Sequence, residues 1–402
     1  MKPQSSALSG FRVLELEGIG PGPLGACVLC DFGADVVSIS RVDKGGRVRS
    51  QNDPVSRGKR SIALDLKSAR GKALLQQLAR RADCLIEPFR PGVMEKLGLG
   101  PEVLCADNPR LIYARMTGWG NCGDESVYMT AGHDANYLAL PGALDLFRRG
   151  DERPLPPANF AGDYAGGGMM LVMGVLLAAM ERLKSGRGQV VDVAMTEGAN
   201  YVALPLYKWL QTGMLPREED GNRHLVPQRS FLHQGPPWST TYACGDGEWV
   251  AVQCIEPKFY AAFLDGMGLR EDAEAGRLPH QHDQSSWPWM KVRFASLFKT
   301  KTRDEWAAIF TGTDACCWPV LTASEAAKHP HNVARGSFAP SPGRPGEFEP
   351  VPAPRLTRTP GHLPRPSPIP GAHTRAVLSE YGVPEGDIKA LLGDNIAVQA
   401  KL

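Results

Sequence analysis

An excess of charge is almost absent from this chain: 45 Lys and Arg stand against 43 Asp and Glu in 402 residues, a formal net charge of +2. Little is left over to neutralise a phosphate backbone, which argues against nucleic acid as the main partner. Long apolar runs are also missing. The longest, Met169 to Met180, is too short to cross a bilayer, carries Gly174 and reads as a buried helix, so no membrane span is expected. Met1 to Leu14 holds no apolar core of secretory-signal length and no Arg-rich amphipathic presequence. Nine scattered cysteines are an odd number and point to free thiols in a reducing intracellular compartment. No internal repeat is visible.

What the sequence does have is an ordinary globular composition, 43% hydrophobic and 22% charged, at a length that suits two or three domains. The first third alternates β-rich and helical runs. Strands are expected at Arg12–Leu16, Asp35–Ser40, Ser61–Asp65, Cys84–Glu87 and Leu111–Arg115. Ser68 to Arg81 has apolar residues at 73, 74, 75, 78 and 79 and reads as an amphipathic helix. Strands alternating with helices imply a parallel sheet wound right-handedly, hence an α/β fold. A long helix is expected from Asp163 to about Lys184, followed by a strand at Val190–Ala194.

The pattern then changes. Residues 216–237 are polar and turn-rich, a candidate linker. Thr240–Ala243 and Trp249–Cys254 flank Gly245-Asp246-Gly247 and read as a hairpin. Helices follow near Lys258–Met267 and Trp287–Phe298, and a third opens on the capping-box sequence Thr302-Arg-Asp-Glu305. Ser337 to Pro370 is dense in Pro and Gly and reads as an extended strap, with helical pieces from Ala376 to Leu392 closing the chain. The expected division is a large domain over 1–215, the linker 216–237, a small α+β domain over 238–325, and a return of 326–402 to the large domain.

Gly20-Pro-Gly22-Pro-Leu-Gly25 follows a strand and precedes a helix, the setting of a dinucleotide fingerprint. Its two prolines remove N–H donors that a pyrophosphate would need. Ser40-Arg41 stands where an NAD enzyme places an acidic residue, and an Arg there suits a phosphorylated ribose, as in NADP or coenzyme A. A tight turn without ligand is an equal alternative. Cys27 and Cys30 have redox spacing but sit in an apolar run, and read as buried small residues, as do Cys316 and Cys317.

Three segments carry chemistry. In Ala131-Gly-His133-Asp134-Ala-Asn136-Tyr137, the glycine allows close approach and the imidazole can move protons near neutral pH, although a structural His held by Asp134 is the plainer alternative. In Ala161-Gly-Asp163-Tyr-Ala-Gly-Gly-Gly168, a carboxylate at a helix start either caps the helix or works beside free N–H groups that could stabilise an enolate, with three glycines leaving room for a bulky thioester. In Ile255-Glu256-Pro-Lys258, the Glu either caps a helix or orients a His from another domain.

These blocks, together with Pro21-Gly-Pro23, Asp31-Phe-Gly-Ala34, Arg57-Gly-Lys-Arg60, Arg90-Pro-Gly92 and Gly312-Thr-Asp-Ala315, resemble the α-methylacyl-CoA racemase branch of the family III coenzyme A transferases, over Leu14 to Thr322. The resemblance implies a large Rossmann-like domain formed by both chain ends, a small α+β domain, and an interlocked homodimer whose active site combines the large domain of one subunit with the small domain of the other. It implies that His133 and Asp163 are the proton-transferring pair and that Glu256 supports the His. It also places Arg41 and Arg90 near the coenzyme A nucleotide, lined by Leu64, Asp65, Leu66 and Lys67 and by Gly132, Asp134, Ala135, Asn136 and Tyr137. Two departures stand out. Asn121–Thr130 is about two residues longer than the usual spacing, acidic where a basic residue is frequent, and Cys30 replaces a small residue.

The expected reaction is inversion of the 2-methyl centre of an acyl-CoA thioester by 1,1-proton transfer through an enolate, with no metal, nicotinamide or pyridoxal cofactor. A protonated Asp163 would need a raised pKa. Rival readings are a coenzyme A transferase using Asp163 as nucleophile, an NADP oxidoreductase, and a non-catalytic acyl-CoA binder. Ala400-Lys401-Leu402 has the small–basic–Leu form of a peroxisomal address, read by an import receptor. The expectation is therefore a peroxisomal isomerase, with mitochondrial sharing, in branched-chain fatty acid or bile-acid metabolism.

Overall fold

Runs of Val, Ile, Leu and Ala buried on both faces make strands that need partners on either side and helices above and below. In a computed structural model, which describes residues 6–43, 45–50, 54–149, 153–217, 225–363 and 365–400, six such runs form the parallel body of one sheet. In spatial order they are Arg60–Leu64, Asp35–Val42, Arg12–Leu16, Cys84–Glu87, Ile112–Thr117 and Val190–Ala194. Numbered among themselves along the chain, the order is 3-2-1-4-5-6, which reverses between Arg12–Leu16 and Cys84–Glu87. Two short strands join antiparallel: Val48–Arg49 beside Asp35–Val42, and Ala397–Val398 beside Arg60–Leu64.

Alternation along the strands divides the core. Leu14, Val37, Ile62 and Leu64 face one side, with Leu74, Leu75, Leu78, Leu378 and Ile388. Val13, Val36, Ile86, Ile112 and Ala114 face the other, with Leu29, Leu171, Val172 and Val175. Helix Pro21–Asp31 begins on a proline whose missing N–H costs nothing at that position. Helix Ala69–Ala79 begins on Ser68, whose hydroxyl accepts the Gly71 N–H at 2.9 Å.

The chain divides into two units, the first of Met1–Pro141, Pro157–Val202 and Pro330–Leu402, the second of Gly142–Pro156 and Ala203–His329. Both ends of the chain thus contribute to the first. The Pro-rich strap carries a short hairpin, Phe338–Pro340 with Phe348–Pro350. It is pinned by Arg57, which donates to Glu349 Oε2 at 2.7 Å and to Asp31 Oδ2 at 2.6 Å. Ala400 N–H donates to Gly371 O at 3.1 Å; Lys401 and Leu402, the rest of the candidate targeting tripeptide, lie outside the described residues.

The second unit has a three-stranded antiparallel sheet in the order Cys317–Pro319, Trp249–Gln253, Ser239–Ala243. Helices Pro257–Gly266, Trp287–Phe298 and Arg303–Phe310 accompany it, the last with both bonds of the Thr302–Glu305 capping box. Its core is aromatic, with Tyr242, Phe263, Phe294, Phe298, Trp306 and Phe310 all buried. Gly142–Pro156 belongs with this unit, where Leu146 O meets His233 Nε2 at 2.7 Å. Residues 218–224 of the stretch read as a linker lie outside the described residues; from Leu225 onward it is packed, and His233 is buried.

Two expectations are corrected. The large unit does not run unbroken over 1–215, because residues 142–156 and 203–215 belong with the second unit. The run Met169–Met180 is not a buried helix. Phe160–Ser185 is continuous, and among the described residues it is the helix long and apolar enough to cross a membrane by length and composition, with only 39% of its most apolar window buried. Leu171, Val172, Val175 and Ala178 pack inward, while Leu177, Met180 and Leu183 are exposed. Apolar residues on both sides of this helix hid its two faces from a reading of composition.

Candidate active site

In a doubly wound sheet the crevice beyond the carboxyl ends of the strands, at the point where strand order reverses, is the natural place for a ligand. A cleft of about 600 Å³ lies there. Ile19, Gly20 and Pro21 follow the Arg12–Leu16 strand into it; Pro88, Phe89 and Arg90 follow Cys84–Glu87; Thr117, Gly118 and Trp119 follow Ile112–Thr117. The loop bearing Arg90 is ordered from below by Glu87. That carboxylate accepts the Phe89 N–H and the Arg115 Nε–H, each at 2.9 Å. Complete burial pushes Glu87 up to about 7 despite those bonds.

His133 and Asp163 both line this cleft. His133 is extended, exposed, and immediately precedes the short helix Asp134–Ala139; its N–H donates to Asn136 Oδ1 at 3.0 Å. Behind it Tyr137 packs edge-on against Trp119, ring centres 4.8 Å apart, and its hydroxyl donates to Gly132 O. Gly118 makes this possible, since a Cβ there would stand 2.1 Å from the Tyr137 ring.

Asp163 does not begin its helix. The helix starts at Phe160 with a π-helical stretch to Met169 and continues as α-helix over Met170–Ser185. Asn159 precedes it in the left-handed region, φ 62°, and donates its Nδ2–H to Asp163 Oδ2 at 2.7 Å. The Asp163 N–H is not free for an enolate: it donates to Asp134 Oδ1 at 2.8 Å. Asp134 is buried and directed to that main chain. Burial raises the Asp163 carboxyl above its ordinary value, the nearby charge of Asp134 raises it further, and the Asn159 bond and His133 oppose the rise.

The three glycines after Asp163 do not make room for substrate. Gly166, Gly167 and Gly168 are buried. A Cβ on Gly166 would stand 2.6 Å from Ala199 N, on Gly167 2.8 Å from Pro21 Cβ, and on Gly168 3.0 Å from Leu24 Cδ2. They bring this helix onto Pro21–Asp31 and Met195–Val202. Gly20 serves the site itself: its φ of 73° turns the chain into helix Pro21–Asp31, and a Cβ there would lie 3.7 Å from Asp163 Oδ2.

The candidate coenzyme A contacts fall into groups. Arg90, Gly132 and Tyr137 line the cleft. Arg41, Asp65 and Lys67 line a separate hollow of about 410 Å³ beyond the ends of Asp35–Val42 and Arg60–Leu64. Leu64 is fully buried in the core and Leu66 packs against it, so their side chains serve the fold. Ala135 is half-buried and Asn136 exposed, its side chain engaged with His133 N–H. Cys27 and Cys30 are buried free thiols, pushed up to about 11 and about 12 by burial. Among the described residues no group of three or more His, Cys, Asp or Glu is placed to hold a metal ion.

Glu256 belongs to the second unit. It precedes helix Pro257–Gly266 with an extended backbone, and its exposed side chain makes no capping bond, so the capping alternative does not account for it. Sequence reasoning missed Asn159 as part of the site, and it set Asp134 against coenzyme A where the structure buries its side chain against the Asp163 main chain. The only local signal for Asn159 was its place just ahead of a helix, which says nothing about the direction of its side chain.

Residues 8–374 match the sequence profile of CoA-transferase family III. The chain is 47% identical over 399 residues to the α-methylacyl-CoA racemase of Mus musculus, covering 98% of both chains. It is 45% identical over 398 residues to that of Homo sapiens, covering 98% of this chain and 99% of the relative. Among solved structures, a CAIB/BAIF family protein from Brucella suis matches with a TM-score of 0.77 at 25% identity, over 94% of this chain and all of that one. With its profile match, its relatives and its fold in agreement, the chain belongs to CoA-transferase family III.

Proposed function

We infer that this protein is an isomerase, an α-methylacyl-CoA racemase that inverts the 2-methyl centre of acyl-CoA thioesters. The observation that carries the reading is the placement of His133 and Asp163 in one cleft at the switch point of the sheet. Racemisation by 1,1-proton transfer needs one group to remove the α-proton and another to return a proton to the opposite face. In one direction His133 accepts the proton while Asp163 donates. In the other the roles exchange. A carboxyl raised by burial suits this work, because it can hold a proton nearer neutral pH than a solvated Asp.

Glu256 is the third member of the proposal, an exposed carboxylate that makes no capping bond and would orient an imidazole. The homodimer, the peroxisomal or mitochondrial location and a place in branched-chain fatty acid or bile-acid metabolism extend the proposal. Light scattering on the purified chain tests the first of these: a mass of one chain would overturn it.

The reaction is tested by proton NMR of a (2R)-2-methylacyl-CoA in D2O without any acyl acceptor. Loss of the α-proton with both epimers appearing is the expected result. An unchanged α-proton, with coenzyme A moving once a free carboxylic acid is added, would overturn it and make Asp163 the nucleophile of a transferase.

A further inference from the structure

The sequence placed Asp134 among the substrate-lining residues, yet its side chain is only 3% exposed. We infer that Asp134 is a positioning residue for Asp163: its carboxylate holds the main chain that carries the acid–base carboxyl and supplies a fixed negative charge beside it. The consequence for turnover rests on the racemase reading above.

Three observations support this. Asp134 Oδ1 accepts the Asp163 N–H at 2.8 Å, tying the residue after His133 to a segment 29 positions away. The intervening contact is built for it, because a Cβ on Gly162 would stand 2.5 Å from that same Oδ1 and 3.1 Å from the carboxylate carbon. Finally, Asp134 Oδ2 is buried and has no hydrogen-bond partner among the described residues. A buried carboxylate oxygen without a partner is costly. A purely structural clamp would be served as well by a neutral acceptor such as Asn. Retaining the charge makes sense if the charge is used.

It is used on Asp163. The charges acting on that carboxyl are those of Asp134, which disfavours ionisation, and His133, which favours it. Asn159 donates a hydrogen bond from the preceding turn. Tyr137 and Arg90 face the same cleft. Helices Pro21–Asp31 and Met195–Val202 also pack on this stretch, but Cys27, Cys30 and Asp31 of one and Glu197 and Tyr201 of the other are not among the groups that shift it. Asp134 therefore sets both where the Asp163 carboxyl stands and how firmly it keeps its proton.

The test compares full-length wild type with Asp134→Asn and Asp134→Ala. The Asp163 carboxyl is titrated by carbon-13 NMR in Asp-labelled protein without substrate, its signal assigned from Asp163→Asn. Epimerisation is followed against pH in parallel. Asn keeps an acceptor for the Asp163 N–H but not the charge. The expected result is a folded Asp134→Asn that melts no lower than wild type, with the Asp163 titration and its limb of the pH profile moved to lower pH by roughly one unit. Asp134→Ala loses the acceptor too, and its kcat falls by about 10-fold or more, which Asn partly restores. If either variant fails to fold, Gly162→Ala, which displaces the carboxylate sterically, gives the same titration readout. An Asp163 titration unchanged by loss of the charge, or an Ala variant with wild-type kcat and pH profile, overturns the inference. Because the titration needs no turnover, absence of α-proton exchange in wild type would sink the racemase reading alone.

Discussion

Asn159 donates from Nδ2 to Asp163 Oδ2 at 2.7 Å, opposing the burial and the Asp134 charge that push the same carboxyl the other way. A donor to the ionised form lowers a pKa, so removing it must raise one. Asn159 sits at φ 62°, where glycine is at ease and alanine is not. In Asn159→Gly the Asp163 carboxyl should hold its proton to higher pH. The limb of the rate profile it governs should move to higher pH by roughly half a unit to one unit, opposite to the shift expected for Asp134→Asn. The His133 charge also acts on Asp163, so the comparison is between variants and not of absolute values. A shift to lower pH would contradict the assigned role of the amide.

His133→Ala and Asp163→Asn should each lower the rate of α-proton exchange by roughly 100-fold or more, the usual worth of a placed acid or base. Mutual dependence predicts that the double variant is little worse than either single one. Exchange in D2O measures all three. Substantial activity in His133→Ala would point to transferase chemistry at Asp163.

Helix contact, not catalysis, governs the glycines downstream. A Cβ on Gly198 would stand 1.8 Å from Gly166 O, a main-chain atom with no rotamer to change. Gly198→Ala should therefore destabilise the protein by about 2 kcal/mol, seen as a lowered denaturation midpoint in urea. A variant with unchanged stability would mean that the two helices are free to part.

Glu87 gives the fold a pH dependence of predictable sign. Burial lifts its folded pKa to about 7, above the ordinary 4.5 of a solvated Glu. The native state thus binds the proton more tightly than the unfolded chain, and stability falls as pH rises between those values. Glu87→Gln, uncharged throughout, should flatten the dependence of melting temperature on pH over that window. The same slope in wild type and variant would show that Arg115 compensates the charge fully.

The parallel sheet was legible because its strands are runs of β-branched and aliphatic residues separated by helical periodicity. Asp35–Val42 and Cys84–Glu87 could be read almost to the residue. Val48–Arg49 and Ala397–Val398 could not, since two residues carry no period. His133 and Asp163 were named from their blocks and do line one cleft. The role of Asp134 was not legible, because a bond spanning 29 residues leaves no local mark. The glycines of 166–168 misled for a related reason: glycine announces a close approach without saying by what.

The edge strand Ala397–Val398 closes the Arg60–Leu64 side of the parallel sheet by antiparallel pairing. On a translating ribosome, Arg60–Leu64 emerges more than three hundred residues before its partner at 397, and until then its outer hydrogen-bonding groups have only water or another chain to meet. The second unit can complete itself within that interval; the first cannot. A nascent chain of this kind carries an open β-edge for most of its synthesis, and its yield in the cell should depend more on what shields that edge than on the stability of the finished protein.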